Sequence, residues 1–394
     1  MLFADDPDST SLFDEEEDLD DLVDVSETKE IPAVKSARAQ TEMLGHDVIS
    51  DQLLHMFSTG RMPHGLVFAG PSGVGKSTMA FRLARFLLSQ AKREDTGPSL
   101  FGEASPLPEP AQAKDLSVEP SHPVFSQVAS GGHPDLLTVE RMSDDKTGRL
   151  KGSVSVEDIR RIAPFMRMTP SVEKGWRIVV IDDADTMTRS SQNSLLKILE
   201  EPPERALLIL VTHRSGALLP TIFSRCVVFN FSPLSEAQIL SVLEKYRLEP
   251  ALQEIVVWMA RGSLGKALEY ASHKDHLSQI KKTLALLTTG SQLDWPTIQA
   301  FAGEIGGKGN EDSQKIFEET MSWAGSWLAK HVALGQTWPK NLYLEGIQGL
   351  LAQLTLADSL KICDSLEGHF EMVRTGNLDK RFLVMGAYMA FETR

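Results

Sequence analysis

Cysteine is nearly absent. The 394 residues hold two, Cys226 and Cys363. Two thiols supply neither a disulfide framework nor a four-ligand zinc set, so zinc is not expected. A soluble, reducing, cytoplasmic setting is the default expectation. Long apolar runs are missing too: none approaches the ~18–20 residues that span a bilayer, so no membrane partner is expected. The first residues are acidic, the reverse of a secretory leader's basic start. No fixed-period repeat interrupts the reading. A basic surplus is also lacking, with a net charge of −14, but that figure is unevenly spread. Residues 1–30 carry 13 Asp and Glu against one Lys, while the remaining 364 residues carry 41 acids and 39 bases. The body is therefore near neutral, which neither demands nor forbids contact with nucleic acid.

What is present divides along the chain. Residues 1–38 read as an acidic disordered tail, with a carboxylate run from Asp14 to Asp21. Residues 39–232 read as an α/β domain. Its strands are the short apolar runs 66–69, 136–139, 177–181, 207–212 and 227–231, with helical patterns between them. Uniformly apolar strands alternating with helices imply a parallel sheet covered on both faces. Residues 93–134 are rich in Pro, Ser and Gly and read as an insertion or long loop. Residues 233–275 read as a small helical domain, opened by Ser235 as an N-cap. Residues 276–394 continue as helices; Trp323 and Trp327, one turn apart, read as core, with a partner-facing surface as the alternative.

Residues 70–77, Gly-Pro-Ser-Gly-Val-Gly-Lys-Ser, form a complete GxxxxGK[ST] phosphate loop between an apolar strand and a helical pattern. In that context Gly70, Gly73 and Gly75 let backbone N–H groups converge on phosphate oxygens at a helix N-terminus. Lys76 would reach the β- and γ-phosphates and Ser77 would ligate Mg²⁺. A second run, Arg177 to Ile181, ends in Asp182, Asp183 and Asp185. Asp182 is the natural Mg²⁺ partner, and Asp183 occupies the place of a residue that polarises attacking water. Asp185 reads as the N-cap of the helix that follows.

Two later stretches are more specific: Gln192 to Glu204, containing Leu-Leu-Lys-Ile-Leu-Glu-Glu-Pro-Pro, and Ser224-Arg225-Cys226. With the phosphate loop and the carboxylate strand, these resemble the clamp-loader branch of the AAA+ ATPases, and within it the delta-prime subunits of bacterial DNA polymerase III. The ordered motifs cover residues 40–275; the C-terminal helices match by length and class only. The resemblance implies an AAA+ domain, a helical lid and an all-α collar that mediates oligomerisation. It implies ATP and Mg²⁺ as cofactors. It implies a hetero-oligomeric ring with other clamp-loader AAA+ subunits, acting on a sliding clamp and primed DNA. It gives Arg225 the role of a finger reaching a neighbouring subunit's nucleotide, against the plainer reading of a structural ion pair. It also places a γ-phosphate sensor at His213, with Thr212 adjacent. Ser9 to Phe13 is faintly similar to a clamp-binding peptide, without its leading Gln.

The chain departs from the hydrolytic members of that family. Asp183 stands where Glu is usual, His213 where Thr or Asn is usual, and Gly265 where motor subunits carry an arginine. No cysteine lies in 90–135, where many members hold a zinc module. The expectation is a subunit that binds ATP but turns it over weakly, a stator presenting Arg225 to a motor neighbour. An active motor subunit is the alternative.

Overall fold

The computed structural model describes residues 35–90, 113–141, 152–246, 248, 250–288, 293–307, 311–335, 354–376 and 378–392. The acidic run and residues 9–13 lie outside them.

Five strands form one parallel sheet: β1 (Gly65–Ala69), β2 (Leu136–Val139), β3 (Arg177–Ile181), β4 (Ala206–Thr212) and β5 (Val227–Asn230). Their spatial order is β2-β3-β4-β1-β5. In register, Gly65 pairs Leu208, Leu66 pairs Val227, Leu136 pairs Ile178 and Arg177 pairs Ala206. Each of β1, β3 and β4 is buried along its whole length, which is why they read as continuous apolar runs rather than alternating ones.

Around the sheet lie α1 (Asp47–Ser58), α2 (Lys76–Ser89), α3 (Pro123–Ala129), α4 (Val156–Arg160), α5 (Ile162–Arg167), α6 (Arg189–Glu200) and α7 (Pro220–Phe223). The pleat divides the core. Leu66, Phe68, Ile178, Val180, Ile209 and Val211 pack with α1, α2 and α3 on one face. Val67, Val179, Ile181, Leu208 and Leu210 pack with α4, α5, α6 and α7 on the other. On α2, Leu83, Phe86 and Leu87 are almost wholly removed from water, each contributing roughly 2 kcal/mol of transfer free energy. That burial anchors the helix whose N-terminus forms the phosphate loop.

Two expectations need correction. The stretch 93–134 is not wholly loop: its described part carries α3, capped by the His122 side chain with Pro123 at the first position. Leu116 and Val128 are fully buried against α2's side of the sheet. Seven residues are too short to show a helical period, so only the proline marked it. The tail boundary at 38 also falls inside folded chain. The carbonyls of Arg38 and Gln40 accept from Arg85 at 2.8 and 2.6 Å.

Further on come α8 (Glu236–Leu243), α9 (Pro250–Ala260) and α10 (Leu264–Ala271). Ser235 caps α8 in a full capping box with Gln238. The chain separates into two compact units. The sheet unit holds the described residues up to Lys245 together with Gln253–Glu269. Most of the expected lid thus packs with the sheet.

The other unit holds Tyr246–Leu252 and the described residues from Tyr270 onward. It is built from α11 (Lys274–Thr288), α12 (Trp295–Ile305), α13 (Glu311–Leu334), α14 (Leu356–Thr375) and α15 (Arg381–Glu392). The α13 helix packs on α11 and α14, and α15 on α12 and α14. Trp323 and Trp327 are buried, so the core reading holds for both. Tyr388, fully buried, donates to the Thr283 carbonyl at 2.9 Å, joining α15 to α11.

Candidate functional site: the phosphate loop and the strand ends

The loop 70–75 wraps the N-terminus of α2, and three of its glycines are required by geometry. Gly70, Gly73 and Gly75 have φ of 150°, 73° and 105°, a region costly for any residue with a Cβ. A Cβ on Gly70 would lie 2.2 Å from the Phe231 carbonyl oxygen, and one on Gly73 2.2 Å from Ser263 Oγ. The loop is braced from two directions. His46 contacts the Val74 carbonyl at 3.1 Å through Nε2, and the Gly265 amide donates to the Gly73 carbonyl at 2.9 Å. A Cβ at Gly265 would itself come within 3.0 Å of Gly73 Cα. The position that lacks the motor arginine is therefore in backbone contact with the phosphate loop.

The Lys76 ammonium is almost entirely buried. It donates to the Gly70 carbonyl at 2.8 Å and to that of Pro71. It also donates to His213 Nδ1 at 3.0 Å. Burial pulls its pKa down to about 8, against the opposing fields of Asp182, Asp185 and Asp183. Ser77 Oγ donates to Asp182 Oδ1 at 2.9 Å. Burial raises the Asp182 pKa, opposed by that hydrogen bond. Ser77 and Asp182 are thus together, as the sequence anticipates.

Asp183 is held from both sides. His213 Nε2–H donates to Oδ1 at 2.7 Å and Arg141 Nε–H to Oδ2 at 2.8 Å. These bonds, His213's foremost, pull its pKa down to about 2 despite burial. Its φ of 56° is left-handed, which Asp tolerates better than most residues. A hydrogen-bonded row therefore runs Arg141–Asp183–His213–Lys76. It follows the sheet order: Arg141, Asp183 and His213 lie just beyond the carboxyl ends of β2, β3 and β4, and Lys76 opens α2 after the loop that leaves β1. That end of a parallel sheet is where α/β proteins bind ligands.

Of the two sensor candidates, His213 reaches Lys76, while Thr212 is fully buried and turns its hydroxyl to Asp185 at 3.5 Å. Asp185 is not the N-cap of α6; Thr188 is, accepting from the Ser191 amide. Asp185 instead accepts from the His213 amide at 3.0 Å and Arg214 Nε at 3.1 Å, orienting the end of β4. Burial opposes its ionisation, yet these bonds leave its pKa below the ordinary value.

Arg225 follows α7 and precedes β5. Its Nη2 donates to Glu200 Oε1 at 2.8 Å, and its Nη1 to the Thr221 carbonyl at 3.0 Å and Ser224 Oγ at 3.2 Å. The structural ion pair is therefore present, and the side chain remains one third exposed. Gln192, almost wholly buried, donates to the carbonyls of Ala217 and Met187 and accepts from the Leu219 amide at 2.7 Å. It ties α6 to the segment entering α7. Arg141, Gln192 and Glu200 were not legible as site residues. The one available cue for Arg141 was a cation two residues beyond a strand end. Among the described residues, no group of three or more His, Cys, Asp or Glu could hold a metal ion. Among them, too, no helix is long and apolar enough to cross a membrane.

Residues 111–235 match the family model described as DNA polymerase III, delta subunit. The chain is 28% identical over 261 residues to the DNA polymerase III subunit gamma of Buchnera aphidicola subsp. Schizaphis graminum, covering 65% of this chain and 63% of that one. It is 29% identical over 239 residues to the subunit tau of Escherichia coli K12, covering 59% and 32%. It is 25% identical over 246 residues to a replication factor C small subunit of Methanococcus maripaludis strain C7, covering 60% and 62%. The matches thus span less than two thirds of these relatives' lengths. A solved gamma subunit-related protein of Thermotoga maritima is 17% identical, with 87% of this chain and 99% of that one covered at a TM-score of 0.39. In its phosphate loop, its carboxylate strand and these sequence relatives, the chain is similar to clamp-loader subunits.

Proposed function

We propose that this chain is a delta-prime-like clamp-loader subunit of a bacterial DNA polymerase III holoenzyme. In this reading it is a stator within a cytoplasmic hetero-oligomeric ring that loads a sliding clamp on primed DNA. The observation that carries the stator reading is Asp183, whose two carboxylate oxygens are taken by His213 and Arg141. These two bonds fix the carboxylate in place and lower its basicity, which weakens it as a base toward water.

The same site fits a bound nucleotide. Lys76 spends its protons on the Gly70 and Pro71 carbonyls and on His213, partners that phosphate oxygens can replace. Ser77 and Asp182, 2.9 Å apart, suit a Mg²⁺ between them. ATP-Mg²⁺ would supply binding energy that stiffens the loop, α2 and the segment around Gly265. Arg225 would act in trans, offering a planar guanidinium to a neighbour's phosphates. That complete Ser77–Asp182 pair is also what favours the motor alternative.

Steady-state ATPase of the isolated chain and of the reconstituted ring, with and without clamp and primed DNA, tests the proposal. The isolated chain should bind ATP and turn it over slowly, and Lys76→Ala should abolish binding. Arg225→Ala should leave this chain's own binding intact while lowering the ring's rate by orders of magnitude. Motor-like turnover by the isolated chain rules out the stator.

A further inference from the structure

We infer that Glu200 is a positioning residue for the Arg225 guanidinium, holding it as a presented donor fork rather than a free side chain; this rests on the trans-finger reading above. A guanidinium has five N–H donors in a rigid plane. In Arg225 three are engaged, one Nη2–H by Glu200 and both Nη1–H by Thr221 and Ser224. Nε–H and the second Nη2–H have no acceptor among the described residues. Those two protons are what an incoming phosphate can take, so the Glu200 bond orients the fork without consuming it.

The spacing of the pair is set by packing, not by the ion pair alone. Leu199 and Cys226, the chain neighbours of Glu200 and Arg225, meet over the bare Cα of Gly65. A Cβ there would lie 2.8 Å from Cys226 Sγ and 3.0 Å from Leu199 Cδ2. The end of α6, the turn carrying Arg225 and the start of β1 are therefore wedged together. About two turns earlier on α6, Gln192 grips the other end of the segment, at Ala217 and Leu219. One helix thus holds the Arg225 arm at both ends. An exposed ion pair contributes little to stability, so the worth of Glu200 lies in restricting a side chain that otherwise samples many rotamers.

The test uses the assembled ring containing the full chain with Glu200→Ala, Glu200→Gln, Arg225→Ala and the Glu200→Ala/Arg225→Ala double variant. Kinetics of ring ATPase, assembly and melting temperature are measured on each. Glu200→Ala should lower kcat about tenfold, the rate equivalent of one misplaced hydrogen bond, with KM for ATP, assembly and melting temperature unchanged. Glu200→Gln, which keeps an acceptor oxygen, should recover most of the rate. The double variant should be no slower than Arg225→Ala. A faster ring with Glu200→Ala overturns the inference, because Glu200 would then restrain the finger. So does loss of assembly or melting temperature, or an equal loss in the Arg225→Ala background. If Arg225→Ala slows the ring and Glu200→Ala does not, the positioning role alone fails. If Arg225→Ala has no effect, the finger reading fails and takes the positioning role with it.

Discussion

Replacing Asp183 by Asn tests whether this carboxylate is a structural ion or a reagent waiting for water. Asn is a clean probe, because it tolerates the left-handed φ of 56° as Asp does. The carboxyl pKa falls from 3.8 to about 2, chiefly through the His213 hydrogen bond and then Arg141. A depression of that size corresponds to about 2 kcal/mol of stabilisation at neutral pH. The side chain is 23% exposed, so solvent screening removes only part of it. The folded pKa lies below the unfolded one. The stabilisation is therefore complete above the unfolded value of 3.8 and is lost as pH falls toward about 2. The variant should melt roughly 5 °C below the parent chain at pH 7. The gap should narrow through that acidic window, where the protonated Asp resembles Asn. Thermal melts of the full chain across pH read both effects. Equal melting temperatures at neutral pH, or a gap that ignores acid, would refute the claim that His213 and Arg141 occupy this acid.

Three further outcomes follow from particular contacts. Nucleotide affinity should decline as pH rises past about 8, because burial lowers the Lys76 pKa to that value and only its ammonium pairs with phosphate. Fluorescent-nucleotide titrations check this, and a flat profile argues against Lys76 as the phosphate ligand. Gly265→Ala should destabilise the sheet unit by about 1–2 kcal/mol, since its Cβ would press to 3.0 Å from Gly73 Cα. An unchanged melting temperature and nucleotide affinity would show that the loop yields freely. Cys226 should resist alkylation in the native chain at pH 8 and react on unfolding, because burial pushes its thiol up to about 11. Mass spectrometry of iodoacetamide-treated protein reads this, and rapid native labelling contradicts it.

The strands were legible because buried parallel strands announce themselves as unbroken apolar runs, and each lies within a residue of where the sequence puts it. The α3 helix escaped because seven residues complete barely two turns. Asp185 was misread because a carboxylate ahead of a helix usually caps it; here the His213 amide claims it across 28 positions of sequence. The same limit governs the site. Gly70 to Ser77 and Asp182 stand out in the sequence through local pattern alone, and the structure brings Ser77 and Asp182 to 2.9 Å. The linkage Arg141–Asp183–His213–Lys76 does not stand out, because it depends on which strands are neighbours. Once the order β2-β3-β4-β1 is given, the residues that follow those four strands fall in that sequence across the sheet's carboxyl edge. Each then hydrogen-bonds to the next. Strand order gives the carboxylate at 183 a cation on one side and an imidazole on the other, and both lower its basicity. The departures at 183 and 213 are thus a single feature: an Asp–His pair bonded to each other and flanked by Arg141 on one side and Lys76 on the other.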